Sequence, residues 1–209
     1  MLTLIQVLLL VTCHCQLFHG TSLHLVWIKL LLSGTQIIRV ISTKPDLSRL
    51  RTITVDEDCR GICSTTDNDL LVTFIYPGKV QVLDEHGTVL CEMGTRADSK
   101  PQLNYPLYLL VVTEKDKEIL YVSDQGTHTI TKFSMTGQIL LTYKDSDLKW
   151  PRGLAATDDG HVLVCGYTCH NVQVVSMSGK KVRTLLCEKN GIIQPQATCH
   201  NIVAFKLQW

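Results

Sequence analysis

Pro151-Arg152-Gly153-Leu154-Ala155-Ala156 is followed by Thr157-Asp158-Asp159-Gly160 and then by His161-Val162-Leu163-Val164-Cys165. The first segment is a strand of small residues. The Asp-Gly pair supplies the positive-φ positions that a tight hairpin needs. The third segment carries no formal charge and reads as a strand buried on both faces. After a turn at Gly166-Tyr167-Thr168, Asn171-Val172-Gln173-Val174-Val175-Ser176 alternates polar and apolar residues, as a half-exposed strand does. Ser178-Gly179 turns the chain once more, and Lys180-Lys181-Val182-Arg183-Thr184-Leu185-Leu186 forms a charged outer strand. Positive charge on an edge strand opposes edge-to-edge aggregation.

The same unit recurs. Thr73 to Leu83, Ser123 to Phe133 and Cys165 to Val175 align without a gap, and each is followed four residues later by a glycine: Gly87, Gly137 and Gly179. Thr73 and Ser123 are 50 residues apart, and Ser123 and Cys165 are 42 apart. Tyr105-Pro106, Trp150-Pro151 and Gln194-Pro195 open successive units at spacings of 45 and 44 residues. A period in the forties made of strands is that of a β-propeller blade. The expectation is an all-β chain, a partial propeller of four-stranded blades with an apolar N-terminal extension.

Composition agrees. Val, Ile and Thr number 19, 14 and 22 in 209 residues, against 5 Ala, which is strand composition and excludes a helical bundle. Twenty Lys and Arg balance 19 Asp and Glu, so a net charge of +1 gives no compositional case for nucleic-acid binding. The nine cysteines are an odd number in a chain long enough to hold a core without staples, which points to reduced, buried thiols and no essential disulfide.

Ile119-Leu120-Tyr121-Val122-Ser123-Asp124, with His128 and Ile130 after it, resembles the NHL repeat of tripartite-motif ubiquitin ligases and related proteins. The unit at Cys165 keeps His170 and Val172 but has Gly166 where the family pattern has Asp. The unit at Leu70 keeps the apolar frame and Gly87. The resemblance spans residues 59–193 and is strongest over 105–191, and the divergent, Cys-rich blades look like those of invertebrate tripartite-motif-like proteins. It implies a substrate-recruiting or RNA-binding module. Tripartite-motif ligases also carry RING and B-box zinc sites built on Cys-x2-Cys pairs, and no such pair occurs here. Ligase activity is therefore expected of a longer relative.

The chain is expected not to be an enzyme and to need no cofactor or metal. Gly-x-Ser-x-Gly, phosphate-loop and His-Glu-x-x-His motifs are absent. His128 and His170 share one repeat position, with Lys79 read as their replacement in the first unit, so they are assigned to blade structure, as are Gly87, Gly137 and Gly179. The alternative from another class is a fragment of a metal-dependent propeller hydrolase or lyase, with histidines from successive blades around a channel.

For binding, loops on one face of the disc are the candidates, because rigid blades hold them while they vary. The turns between second and third strands present Tyr76, Gln125 and Tyr167, read as equivalent positions. The blade-opening loops add Arg60, Tyr108, Trp150 and Arg152. Tyr, Trp and Arg dominate interface hot spots. A protein or peptide partner comes first and single-stranded RNA second, without DNA or membrane.

Residues 1–22 form an apolar segment, 23–58 a degenerate strand-rich unit, 59–193 three blades and 194–209 the start of another. Leu2–Val11 looks like a signal-peptide core, yet no Lys or Arg precedes it. Gln6, His24 and Lys29 interrupt the apolar runs short of a membrane span. A signal peptide, a degenerate unit and sequence foreign to the domain all stay open, so the location is cytoplasmic, or secreted if the run is a signal. Three units suggest an open arc that self-associates through its blade faces, a closed four-bladed ring being the alternative.

Overall fold

The computed structural model describes residues 29–31, 36–42, 48–95 and 102–198. The apolar segment 1–22 and the tail beyond residue 198, with the signal-peptide reading, lie outside the described residues. All described regular structure is antiparallel sheet apart from one short 3-10 turn.

Four sheets follow one another in chain order. The first has three strands, β1 (Lys29–Leu31), β2 (Ile37–Ser42) and β3 (Ser48–Thr54). The second comprises β4 (Cys59–Ser64), β5 (Leu70–Phe74), β6 (Lys79–Leu83) and β7 (Val89–Met93). The third comprises β8 (Pro106–Glu114), β9 (Lys117–Asp124), β10 (Thr129–Ser134) and β11 (Ile139–Tyr143). The fourth comprises β12 (Pro151–Ala156), β13 (His161–Gly166), β14 (Asn171–Ser176) and β15 (Lys181–Leu186). Each four-stranded sheet is a meander in which every strand pairs with its sequence neighbour. This is a partial β-propeller.

The blades stack through apolar layers made by opposite sides of successive sheets. Ile38, Val40 and Ile53 meet Ile62, Leu70, Val72 and Phe74 in the first layer. Leu71, Val80 and Met93 meet Leu109, Leu120 and Phe133 in the second. Ile119, Tyr121 and Ile130 meet Leu154, Val162 and Val164 in the third. The strands β5, β9 and β13 place successive residues on opposite sides of their sheets, so the stretches 70–72, 119–122 and 162–165 are apolar throughout.

Lysines complete these layers. Lys132, from β10, reaches the Glu114 carboxylate at 2.7 Å and the Met177 carbonyl at 3.1 Å in the next blade, with its ammonium over the Tyr121 ring. Lys79 is paired with Glu57 and Glu92, and Lys181 with Asp145 and Asp147. The first of these corrects the expected repeat register. The residue matching His128 and His170 is Gly78, each standing immediately before the third strand, while Lys79 is the first residue of β6.

The turns between third and fourth strands hold Gly87, Gly137 and Gly179 at φ of 93°, 84° and 76°. At Gly179 a side chain is doubly opposed: the left-handed backbone disfavours it, and a Cβ there would overlap the Leu141 side chain of the preceding blade. Gly179→Val is therefore expected to lower stability by about 2 kcal/mol or more. Urea unfolding measures it, and an unchanged midpoint would refute the placement of this turn.

Candidate functional site

Antiparallel meanders sort the connections by face. The turns between second and third strands, and the openings of the blades, fall on one face, here termed the upper. The hairpins joining first to second and third to fourth strands fall on the other.

Asp124 organises the upper face of the middle blade. Its carboxylate accepts backbone N–H groups from Asn104, Tyr105, Gly126 and Thr127 at 2.7–3.2 Å, tying the blade opening to the turn after β9. In the last blade Gly166 replaces it. A Cβ there would run into the Asn171 side chain, which instead donates from Nδ2 to the Asp147 carbonyl at 2.8 Å.

His128 and His170 link each blade to the next. The Nδ1 of His128 accepts the Trp150 N–H at 3.3 Å, and that of His170 accepts the Gln194 N–H at 3.1 Å. Trp150 and Gln194 precede prolines and have φ of 51° and 48°, so each histidine pins a left-handed opening residue. These Nδ1 atoms are already used. Among the described residues no three His, Cys, Asp or Glu side chains gather as a group that could hold a metal ion.

The inner strands bulge at one repeat position, and the buried N–H that the bulge frees from the ladder finds another acceptor. Gly61 N–H donates to Thr73 Oγ1 at 2.6 Å and Tyr108 N–H to Ser123 Oγ at 3.2 Å. Cys165 occupies the third position, and there Gly153 N–H donates instead to the Gln196 carbonyl at 3.0 Å. The hydroxyls are acceptors as well as small residues, a role that spacing alone does not reveal.

The candidate binding residues separate into surface and support. Tyr76 is 77% exposed and meets Tyr105 edge to face at 6.2 Å. It stands one residue later in the repeat than Gln125 and Tyr167, whose true first-blade counterpart is the buried Ile75. Trp150, 43% exposed, stacks on Tyr167 at 6.3 Å with the rings 16° from parallel. The Arg152 guanidinium lies 3.9 Å from the Tyr167 ring centre and donates to Gln196 Oε1 at 2.8 Å. Tyr167 in turn donates its hydroxyl to Gln194 Oε1 at 3.0 Å. Gln125 and Tyr108 are buried; burial pushes the Tyr108 phenol upward and Arg152 offsets part of the rise. Arg60 is half-buried on β4. Tyr105, Gln194 and Gln196 belong to the same surface and were missed as site residues, although their places beside the recurring prolines marked them.

The opposite face has a groove of about 320 Å³ lined by Thr66, Val112, Glu118, Asp158 and Met177 among others. Among the described residues no helix is long and apolar enough to cross a membrane.

No family model matches the chain. It is 23% identical over 130 residues to Protein brain tumor of Drosophila melanogaster, an NHL-repeat protein, covering 62% of this chain and 12% of that one. Among solved structures it resembles streptogramin B lyase, with a TM-score of 0.64, 17% identity and coverage of 83% of this chain and 55% of the other. Virginiamycin B lyase from Staphylococcus aureus gives a TM-score of 0.64 at 16% identity, with 83% and 56% covered. The chain thus spans about half the length of these propellers, and the likeness defines its fold. It also corrects the expectation that the chain is not an enzyme. Lyases share this fold, so the propeller gives no ground for excluding catalysis. The tripartite-motif and ubiquitin-ligase part of the expectation finds no support in these matches.

Proposed function

We propose that the chain is an NHL-type interaction module. Residues 59–193 supply three blades, Gln194-Pro195 opens the next, and the upper face recruits a protein or peptide partner. The observation that carries this reading is the Trp150–Tyr167–Arg152 stack, with a second aromatic pair, Tyr76 and Tyr105, at the preceding blade opening. An exposed Trp on a Tyr that also carries an Arg combines the residue types that dominate hot spots. Ring stacking and the Gln194 and Gln196 hydrogen bonds hold these side chains in place, so binding costs little side-chain entropy. The sequence likeness to an NHL-repeat protein supports the same class.

RNA is the second reading, because stacked aromatics and Arg also accept bases. The net charge of +1 favours polypeptide, since phosphate backbones reward an excess of Lys and Arg. Capture from nuclease-treated extract, compared between the native chain and the Trp150→Ala/Tyr167→Ala variant, tests the proposal. Polypeptides retained by the native chain and lost from an equally folded variant are expected. Equal retention by both would refute it, and retention that nuclease abolishes would favour RNA.

A further inference from the structure

Two sets of cations stand out among the described residues. Lys79, Lys132 and Lys181 lie between blades, and each touches at least one carboxylate. Arg60 and Arg152 sit at the same bulge position of the inner strands β4 and β12, on either side of β8. Neither has a carboxylate partner among the described residues. The Nε–H of each is buried without a hydrogen-bond acceptor. The intervening position is Leu107, and the next is Gln196, whose amide oxygen takes one terminal N–H of Arg152.

A guanidinium has five N–H donors in a planar fork that matches a carboxylate two bonds at a time. Leaving a desolvated donor unpaired is costly, and a charged acceptor recovers more than a neutral one. Arg152 is also prepared to receive such a group. Its plane rests on Tyr167, which is stacked on Trp150, so the fork is held rather than free in solvent. Repetition of the feature at Arg60 sets it apart from a single awkward side chain.

We propose that Arg60 and Arg152 are carboxylate clamps, and that the segment bound on the upper face is acidic, presenting Asp or Glu side chains to the mouth between the inner strands. This rests on the recruitment reading above and specifies its partner: an acidic polypeptide, with the exposed aromatics beside the clamps taking its apolar side chains. A chain of nearly balanced charge achieves this without a basic surface, because neither arginine has a carboxylate partner among the described residues.

The Nε–Hε resonances of both arginines, assigned with Arg60→Lys and Arg152→Lys, are the direct readout. Titration with N-acetyl-Glu-Glu-amide is compared with N-acetyl-Gln-Gln-amide, inorganic phosphate and an oligouridine. Saturable shifts of both resonances with the Glu dipeptide in the millimolar range are expected, with at least a fivefold weaker response to the Gln dipeptide. Arg152→Lys should weaken Glu-dipeptide binding at least fivefold, since lysine keeps the charge and loses the fork. Still resonances up to about 10 mM, equal shifts with the Gln dipeptide, or tighter binding of phosphate or oligouridine would each overturn the proposal. If the Trp150→Ala/Tyr167→Ala variant loses its polypeptide partner while the arginine resonances do not respond to the Glu dipeptide, recruitment stands and the clamp falls.

Discussion

Raising the pH from 9 to 11 is expected to unfold the domain at a temperature where it is stable at pH 7. Burial pushes the thiols of Cys59 and Cys165 from 9.0 to about 11. Between those values the unfolded chain loses thiol protons that the fold retains, so stability falls as pH rises, by on the order of 2 to 3 kcal/mol for each thiol. Burial also moves the phenols of Tyr121 and Tyr143 upward, and nearby Glu114 and Asp145 add to it, so the unfolded state gains again above pH 10. Lys79 acts in the same direction. Burial works against its charge, but Glu57 and Glu92 outweigh that and hold its ammonium protonated, a contribution present below its unfolded value and lost at higher pH. Chemical denaturation across pH 7 to 11 should show a midpoint falling steeply from about pH 9. A flat profile would mean these groups are solvated. No disulfide is formed among the described cysteines, and Cys59 and Cys165 are fully buried. Reductant should therefore leave the thermal midpoint unchanged, and iodoacetamide at neutral pH should spare both thiols.

Lys132→Ala is expected to lower stability by about 2 to 4 kcal/mol. The side chains of Lys132 and Glu114 are only 11% and 18% exposed, and Tyr121 donates to the second Glu114 oxygen at 2.7 Å. Truncation strands the carboxylate between two blades, frees the Met177 carbonyl and removes the cation from the Tyr121 ring. For a chain of this size the thermal midpoint should drop by roughly 5 to 12 °C. Lys132→Met/Glu114→Gln should recover part of the loss, because the stranded charge is gone. A Lys132→Ala midpoint within about 1 °C of native would show that the pair is solvated and contributes little.

The blades were legible because their determinants are local. Asp159-Gly160 and Ser178-Gly179 fix hairpins within a few residues, and the apolar stretch at His161–Cys165 can lie only inside a stack of sheets. The site was legible in part. Trp150 and Tyr167 were visible as residue types beside turns, but their stacking depends on a left-handed Trp150 held by His128 from the preceding blade. Contacts between blades leave no periodic trace. The acceptor role of Thr73 and Ser123 depends on bulges in the neighbouring inner strands that composition does not show. The one-residue displacement of Tyr76, by contrast, was legible in the ungapped alignment, which pairs Ile75 with Gln125 and Tyr167. Enzymatic potential was misread for another reason: a propeller's chemistry lies in loop residues that vary independently of the blade frame, so missing motifs do not exclude it.

The central claim is that the upper face, not the groove beside Glu118 and Asp158, carries the partner. Its most direct measurement is the dissociation constant of the captured polypeptide for two folded variants, Trp150→Ala/Tyr167→Ala above and Glu118→Gln/Asp158→Asn below. The account predicts at least a tenfold loss for the first, about 1.4 kcal/mol, and native affinity for the second. Native affinity with the upper-face variant, or the loss confined to the lower-face variant, would contradict it.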